Sequence, residues 1–168
     1  MICSVATKTT GLSQGKHEVI ELSIKPLGQE EISYRVRPTN VEIYDPKAQE
    51  MNGISATAAL AFPDKEEVAK SILSQFKQII PIGHNFKFDF DMIRNTFGDK
   101  FMIEFFHPTK RFDTMVLAEM EDIKRLERGQ LKLFGSKALV KVCSVLEITG
   151  KTKVEKIEKV YKRLVDGN

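Results

Sequence analysis

The sequence has 168 residues, 42% of them hydrophobic and 29% charged, which is typical of a globular protein with one buried core. No apolar run reaches the roughly 20 residues of a membrane span, and no basic and apolar leader opens the chain, so we expect neither a membrane protein nor a signal peptide. Cys3 and Cys143 are few and far apart, which predicts reduced core thiols in a cytoplasmic protein, with a disulfide as the alternative. We expect a single domain over residues 1–168.

The net charge of +3 is unevenly distributed along the chain. Residues 1–119 hold 14 Lys and Arg against 16 Asp and Glu, whereas residues 120–168 hold 12 against 7. A basic C-terminal third fits a polyanionic partner such as nucleic acid, and it also fits a helix surface that is merely solvated.

Three β-rich stretches open the chain. Residues 4–11 run into a glycine turn, and residues 17–27 and 30–38 alternate apolar with polar side chains, which is the pattern of half-buried strands. Because the connections between them are short, we expect an antiparallel meander.

The rest of the chain predicts helices around one further strand. Residues 45–55 form a short helix that ends at Gly53, and Asp64 caps the clearest helix, over residues 62–80. The order of elements predicts an α/β domain with a mixed sheet flanked by helices, and sites where strands end, at residues 6–12 and 82–89. The remaining predicted elements are a buried strand at 79–86, a helix at 86–97, a strand end leading into a helix at 111–120, a helix at 135–148 capped by Ser136, and an amphipathic helix at 151–164.

Six short motifs occur in an order that resembles one family. Residues 6–12, ATKTTGL, resemble D-x-E-T-T-G-L, and residues 83–93, GHNFKFDFDMI, match H-N-x-x-F-D. The chain resembles the DnaQ-like 3′ to 5′ exonucleases of the DEDDh group, which includes the proofreading subunit of bacterial DNA polymerase III. The other similar pieces are EVIELSI at 18–24, MNGIS at 51–55, FDTMVLA at 112–118 and SKALVKVCSVLEI at 136–148.

The resemblance implies a ribonuclease H-like fold and a two-metal nuclease site. In that family four carboxylates hold two divalent metals, and a histidine acts as general base on the attacking water. Oxygen ligands suit Mg²⁺, and two nearby metals activate the water and stabilise the leaving oxygen. Alternate residues of a strand face the same way, so the Asp and Glu of the first motif lie on one face.

Carried over position by position, the resemblance implies a site that has lost its ligands. Ala6 and Lys8 replace the first Asp and the Glu, Ile148 replaces the histidine, and Lys153 replaces the last Asp, so that Asp89 is the remnant ligand. The four carboxylate positions change from a total charge of −4 to +1. We therefore expect no resident cofactor, with Mg²⁺ or Mn²⁺ only if the site is active, and we predict an ion pair between Lys8 and Asp89.

The predicted function is that of a catalytically inactive exonuclease-fold protein that binds nucleic-acid ends or acts as a scaffold in a replication or repair assembly. The partners would be a single strand or 3′ end, or a polymerase-type or other protein. Two alternatives stay open: a pure protein-interaction module, and an active metal-dependent 3′ to 5′ exonuclease with rearranged ligands such as Asp91 or Asp113. The residues expected to bind nucleic acid are Lys8, Thr9, Thr10, Asn85, Phe88 and Lys153.

Several of these residues also have simpler structural roles. Asp113 fits a helix cap, Asn85 fits a brace for the site, and Glu21 fits a hydrogen-bonded acid in an apolar strand. Phe86, Phe88 and Phe90 could stack on bases, although at least one of them is expected in the core.

Overall fold

The computed structural model describes residues 1–134, 138–165 and 167, and its centre is a five-stranded sheet in the order β3-β2-β1-β4-β5. The strands are β1 (Ile2–Thr9), β2 (Val19–Pro26), β3 (Ile32–Arg35), β4 (Ile80–Gly83) and β5 (Phe112–Asp113). The first three form an antiparallel meander, whereas β4 is parallel to β1 and β5 is parallel to β4. The predicted mixed α/β sheet and its meander are confirmed.

The helices begin and end largely where local sequence signals place them. The side chain of Asp64 accepts a hydrogen bond from the N–H of Glu67 at one helix start, and Gly53 ends another helix in the left-handed conformation, at φ 65°. A 3₁₀ turn covers Val41–Ile43. The helices are α1 (Pro46–Asn52), α2 (Ala56–Ala59), α3 (Lys65–Gln75), α4 (Phe86–Phe105), α5 (Thr114–Glu127), α6 (Leu139–Val145) and α7 (Lys153–Val165).

Alternation along β1 divides the apolar core between the two faces of the sheet. Cys3 and Val5 face α3 and α4, in the largest cluster. Ala6 faces the other way and packs under α7 against Val154 and Ile157. The positions expected to carry the site, Ala6 and Lys8, therefore lie on the α7 face of the sheet.

Three predicted helices differ in extent from the sequence expectation. The helix predicted at 86–97 continues to Phe105, and its two segments meet at Gly98, whose φ of 82° lies outside the helical region. The helix predicted at 62–80 stops before Phe76, which is extended. The helix predicted at 135–148 is described from Leu139, and its predicted cap Ser136 lies outside the described residues.

Both cysteines are free and buried, and burial raises the pKa of the Cys3 thiol to about 11. Cys143 lies in a small cluster with Ala118 and Val160, so both behave as the core residues that the sequence predicts. Across the described part of the chain, no helix combines the length and the hydrophobicity that crossing a membrane would require.

Candidate functional site

A row of three charges crosses the antiparallel meander at the level of the first motif. Lys8 on β1 lies opposite Glu21 on β2, and Glu21 lies opposite Arg35 on β3. The Nζ atom of Lys8 is 2.9 Å from Oε1 of Glu21, and Nε of Arg35 is 3.3 Å from Oε2. Glu21 is buried, so two cations compensate one carboxylate that is withdrawn from solvent. Glu21 therefore has the bonded structural role predicted for it.

Asp89 lies in the first turn of α4 and is only 1% exposed. Its Oδ1 atom accepts hydrogen bonds from the backbone N–H of Thr7 at 2.8 Å and from the Thr7 hydroxyl at 2.7 Å. The third contact of Oδ1 is Nζ of Lys153 at 3.5 Å. Within the described residues, Oδ2 is buried without a hydrogen-bond donor. The carboxylate thus ties β1, α4 and the start of α7 together.

The predicted ion pair between Lys8 and Asp89 is wrong. Lys8 pairs with Glu21, and the lysine that reaches Asp89 is Lys153. The physical reason is strand register, because the residue directly across from Lys8 on β2 is an acid and captures its ammonium group. Lys153 approaches from the first residue of α7.

A second buried carboxylate anchors α7, the helix that carries Lys153. Glu158 is 2.6 Å from Nζ of Lys25 and 2.7 Å from Nζ of Lys162, and it accepts a hydrogen bond from the N–H of Gly28. Burial alone would raise the pKa of Glu158, but the bonds from Lys162 and Lys25 outweigh it and hold that pKa below its ordinary value. The helix is consequently docked on β2 by charge as well as by apolar contacts.

Ala6 and Ile148 contribute only apolar surface. Ala6 is 4% exposed and contacts the cluster of Ile82, Val154 and Ile157. Ile148 lies in the connection between α6 and α7, where it is half-buried against the cluster of Ala118 and Val142. Neither side chain has an atom that ligates a metal or accepts a proton.

The other residues expected to touch nucleic acid divide into buried and exposed ones. The hydroxyl of Thr9 donates to the carbonyl of Gly11, and Thr10 is fully buried and accepts from the N–H of Glu18. Phe88 is half-buried against the main core. Asn85 is exposed at the start of α4, with a φ of 57°. The exposed polar groups of the predicted set are therefore those of Lys8, Asn85 and Lys153.

Asp113 braces the turn that leads into α4. It accepts from the N–H of Met115, which makes it the predicted cap of α5. It also accepts from the N–H groups of Asn85 at 2.9 Å and Phe86 at 2.7 Å, so it joins the starts of two helices. Asp91, the other proposed replacement ligand, bonds with Gln14 and Lys87 instead.

The side chains at the four positions that the resemblance assigns to carboxylate ligands do not fit a two-metal centre. Asp89 is the single carboxylate there, and an ammonium group lies against it. Placing such a cation about 4 Å from a divalent metal costs several kcal/mol even at an effective dielectric constant near 20. No group of three or more His, Cys, Asp or Glu that could hold a metal occurs among the described residues. The orphaned Oδ2 of Asp89 alone is one ligand atom, far short of the set that Mg²⁺ takes.

A cavity of about 730 Å³ opens beside Lys8. Lys8, Glu21 and Arg35 line it from the sheet, and Thr152 lines it from the residue before α7. Two further acids, Glu31 and Glu67, line it as well, so positive charge is concentrated at the Lys8 and Thr152 side of the cavity. The side chains of Lys8 and Lys153 are 41% and 43% exposed, so both ammonium groups keep access to solvent despite their ion pairs. We call this cavity, together with Lys153, which follows the lining residue Thr152 in the chain, the lysine groove.

Several solved structures that are similar to this chain are exonucleases. An exonuclease I from Methylocaldum szegediense superimposes with a TM-score of 0.78 at 18% identity, over 99% of this chain and 40% of that one. E. coli exonuclease I in complex with a dA16 oligonucleotide gives 0.72 at 18%, over 99% and 42%. Exonuclease X in complex with 5′-overhanging duplex DNA gives 0.65 at 18%, over 98% and 89%.

These likenesses establish an exonuclease-type, ribonuclease H-like fold for the chain. The chain spans about two fifths of the exonuclease I structures that it matches. No protein-family model and no curated protein sequence matches it.

Proposed function

We propose that this chain is a non-catalytic, DnaQ-like exonuclease-fold domain that binds the end of a nucleic-acid strand and so acts in a replication or repair assembly. The observation that carries the proposal is the contact between Lys153 and Asp89, in which a lysine ammonium neutralises the single remaining carboxylate. Ala6 and Lys8 likewise stand at positions where the resemblance predicts acidic metal ligands.

The electrostatics of the site argue against metal-dependent hydrolysis. A metal that approached Asp89 would have to displace Lys153 and would find no second acid at Ala6. The position of the general base is occupied by Ile148, which packs in an apolar cluster. Positioning a strand remains possible without metals, because binding a phosphate requires only donors and positive charge.

The lysine groove supports binding of a phosphodiester backbone. The ammonium group of Lys8 lines the cavity, and Lys153 follows the lining residue Thr152. Both ammonium groups are half-exposed, at positions where the resemblance predicts acids, and each can donate to phosphate oxygens. Two similar exonuclease structures contain DNA, an oligonucleotide in one and an overhanging duplex in the other. We expect a strand to lie across the lysine groove of this chain and to bind without divalent metal.

Fluorescence anisotropy with a labelled single-stranded oligonucleotide in EDTA tests the proposal. We expect binding that falls steeply with salt and that Lys153→Ala and Lys8→Ala each weaken several-fold. Lys100→Ala is the matched control, since Lys100 is exposed on the far part of α4. A circular oligonucleotide of the same length tests for ends, and equal affinity for circle and linear strand would contradict end binding.

Two other outcomes select the alternative functions. An end-labelled oligonucleotide incubated with the protein and Mn²⁺ should stay intact, beside a parallel sample of Lys8→Glu. A ladder of shortened products from the unmodified protein would establish an active exonuclease with rearranged ligands. Absence of binding to DNA and RNA at low salt would leave the pure protein-interaction module.

A further inference from the structure

Two adjoining cavities share no lining residue with the lysine groove. Their volumes are about 620 and 560 Å³, and both are lined by Phe90 and Arg111. Asp89 points from α4 toward β1, whereas its neighbour Phe90 belongs to this second surface. We call the two cavities together the Arg111 groove.

The aromatic centre of the Arg111 groove is partly covered by the protein itself. The guanidinium groups of Arg94 and Arg111 lie over the Phe90 ring, 5.5 and 5.7 Å from its centroid. The rings of Phe86 and Phe106 pack against Phe90 as well, at 6.1 and 5.5 Å between centroids. Phe90 is therefore half-buried among its own neighbours, and its cation–π contact helps to hold Arg111 in place.

Most charges in the lining are compensated internally. Lys87 pairs with Asp91, and Arg94 pairs with Asp99 at 3.0 Å. Asp113 accepts three backbone N–H groups. Arg111 is the exception within the described residues, because it is exposed and the structure gives it no carboxylate partner. Its planar set of N–H donors suits one carboxylate in a bidentate contact.

Most of the rest of the lining is apolar, with Gln78, His107 and Thr109 as its polar members, and part of it is open to solvent. Ile103 is 72% exposed in one cavity and Val116 is 46% exposed in the other. Met102 and Pro108 line the first cavity, and Leu117 lines the second. Apolar walls on both sides of one unpaired guanidinium match an apolar side chain that lies next to an acid.

We infer that the Arg111 groove binds an acidic peptide segment of a partner protein, in which an apolar side chain enters a cavity and an adjacent carboxylate bonds to Arg111. Nucleic acid fits less well, since a strand needs a track of uncompensated cations, whereas the other cations that line the described cavities, Lys87 and Arg94, are paired with acids. This site shares no residue with the lysine groove, so it does not depend on the proposed function.

A random peptide library displayed on phage tests the inference. It is selected on the wild-type protein and, in parallel, on Arg111→Glu. We expect enriched sequences with Asp or Glu close to Leu, Ile or Phe on the wild type alone. No enrichment over the Arg111→Glu selection, or enriched sequences without acids, would overturn the inference.

The most enriched peptide is then synthesised and its affinity measured by fluorescence anisotropy. Arg111→Glu should weaken the binding of this peptide by about tenfold or more, as expected for loss of a charge-assisted bidentate contact. Lys110→Glu makes the same charge change at an exposed neighbour outside the lining and should change it less than about twofold. Equal losses in the two variants would mean general charge attraction and would contradict a specific site.

Two further controls separate the surfaces and the partner classes. Ile103→Ser should weaken the peptide several-fold, and Val140→Ser, which alters an equally exposed apolar residue elsewhere, should not. Lys153→Ala should leave peptide binding unchanged. If a single-stranded oligonucleotide displaces the peptide from the wild type, the groove is a nucleic-acid site and the inference fails.

Discussion

The Nζ atom of Lys153 lies 3.5 Å from the Oδ1 atom of Asp89, on the oxygen that also accepts both hydrogen bonds from Thr7. An ammonium group and two Thr7 donors thus gather around one buried carboxylate oxygen. The contact links the start of α7 to β1 and to the first turn of α4. Its consequences for stability and metal affinity are measurable.

A double-mutant cycle on Asp89 and Lys153 measures the strength of this link. Lys153→Met removes the ammonium group and leaves Asp89 buried with only the Thr7 donors. Because Lys153 is 43% exposed, we expect a coupling free energy of only about 1 kcal/mol between Asp89→Asn and Lys153→Met in urea unfolding. Lys100→Met is the control and should change the free energy of unfolding by less than about 0.5 kcal/mol. A coupling free energy near zero would contradict the contact.

Replacement of Glu21 tests the charge row across the meander. In Glu21→Gln, Lys8 and Arg35 lose the buried carboxylate between them, and we expect a loss of about 1 to 2 kcal/mol in the free energy of unfolding. Glu30→Gln, at an exposed position in the β2–β3 connection, is the matched control. Similar losses in both variants would show that the row contributes nothing specific.

Much of the fold follows from local sequence signals. Three kinds of local signal each determine an element, and each was predictable. They are the alternation in residues 17–27 and 30–38, the glycine after α1 and the aspartate before α3. The extension of α4 past residue 97 was not predictable, because a glycine such as Gly98 ordinarily ends a helix. Here the chain continues into a second helical segment.

The site was less predictable because its contacts join distant parts of the chain. The Lys8–Glu21 pair depends on strand register, which includes an irregularity between Lys8 and Thr9. Thr7 was missed as a partner of Asp89, although it occupies the strand position between the two motif residues. The available signal was Glu21, an acid that the predicted meander places on β2 opposite Lys8. It would have predicted the pair between Lys8 and Glu21 from the sequence alone.

Placing acids at the four positions should give the site affinity for divalent metal. In the triple variant with Ala6→Asp, Lys8→Glu and Lys153→Asp, these positions and Asp89 together carry a charge of −4 and oxygen ligands. We expect Mn²⁺ to raise the Tm of this variant and to leave that of the wild type unchanged, because a ligand stabilises only the state that binds it. Ca²⁺ and Mg²⁺ titrations on the same samples check for nonspecific salt effects. A rise in the wild-type Tm with Mn²⁺ would show that the natural site still holds metal.

The pH dependence of stability should report the Glu158 anchor of α7. The folded-state pKa of Glu158 is lowered, with its bonds to Lys162, Lys25 and the N–H of Gly28 outweighing burial. A carboxyl group with a lowered folded pKa stabilises the protein above its unfolded pKa, and this contribution disappears as pH falls through the folded pKa.

We therefore expect Glu158→Gln to lower the free energy of unfolding by about 2 kcal/mol at pH 7, where the wild type has the bonded carboxylate. The difference between the two proteins should shrink once the pH falls below the ordinary range of glutamate and vanish when Glu158 is protonated. Urea unfolding of both proteins from pH 7 to pH 3 measures it, with Glu127→Gln, at an exposed position, as the control. A difference that stays constant with pH would mean that shape, not charge, sets the effect at Glu158. The docking of α7, and with it the position of Lys153 over Asp89, would then rest on apolar contacts such as Val154 and Ile157.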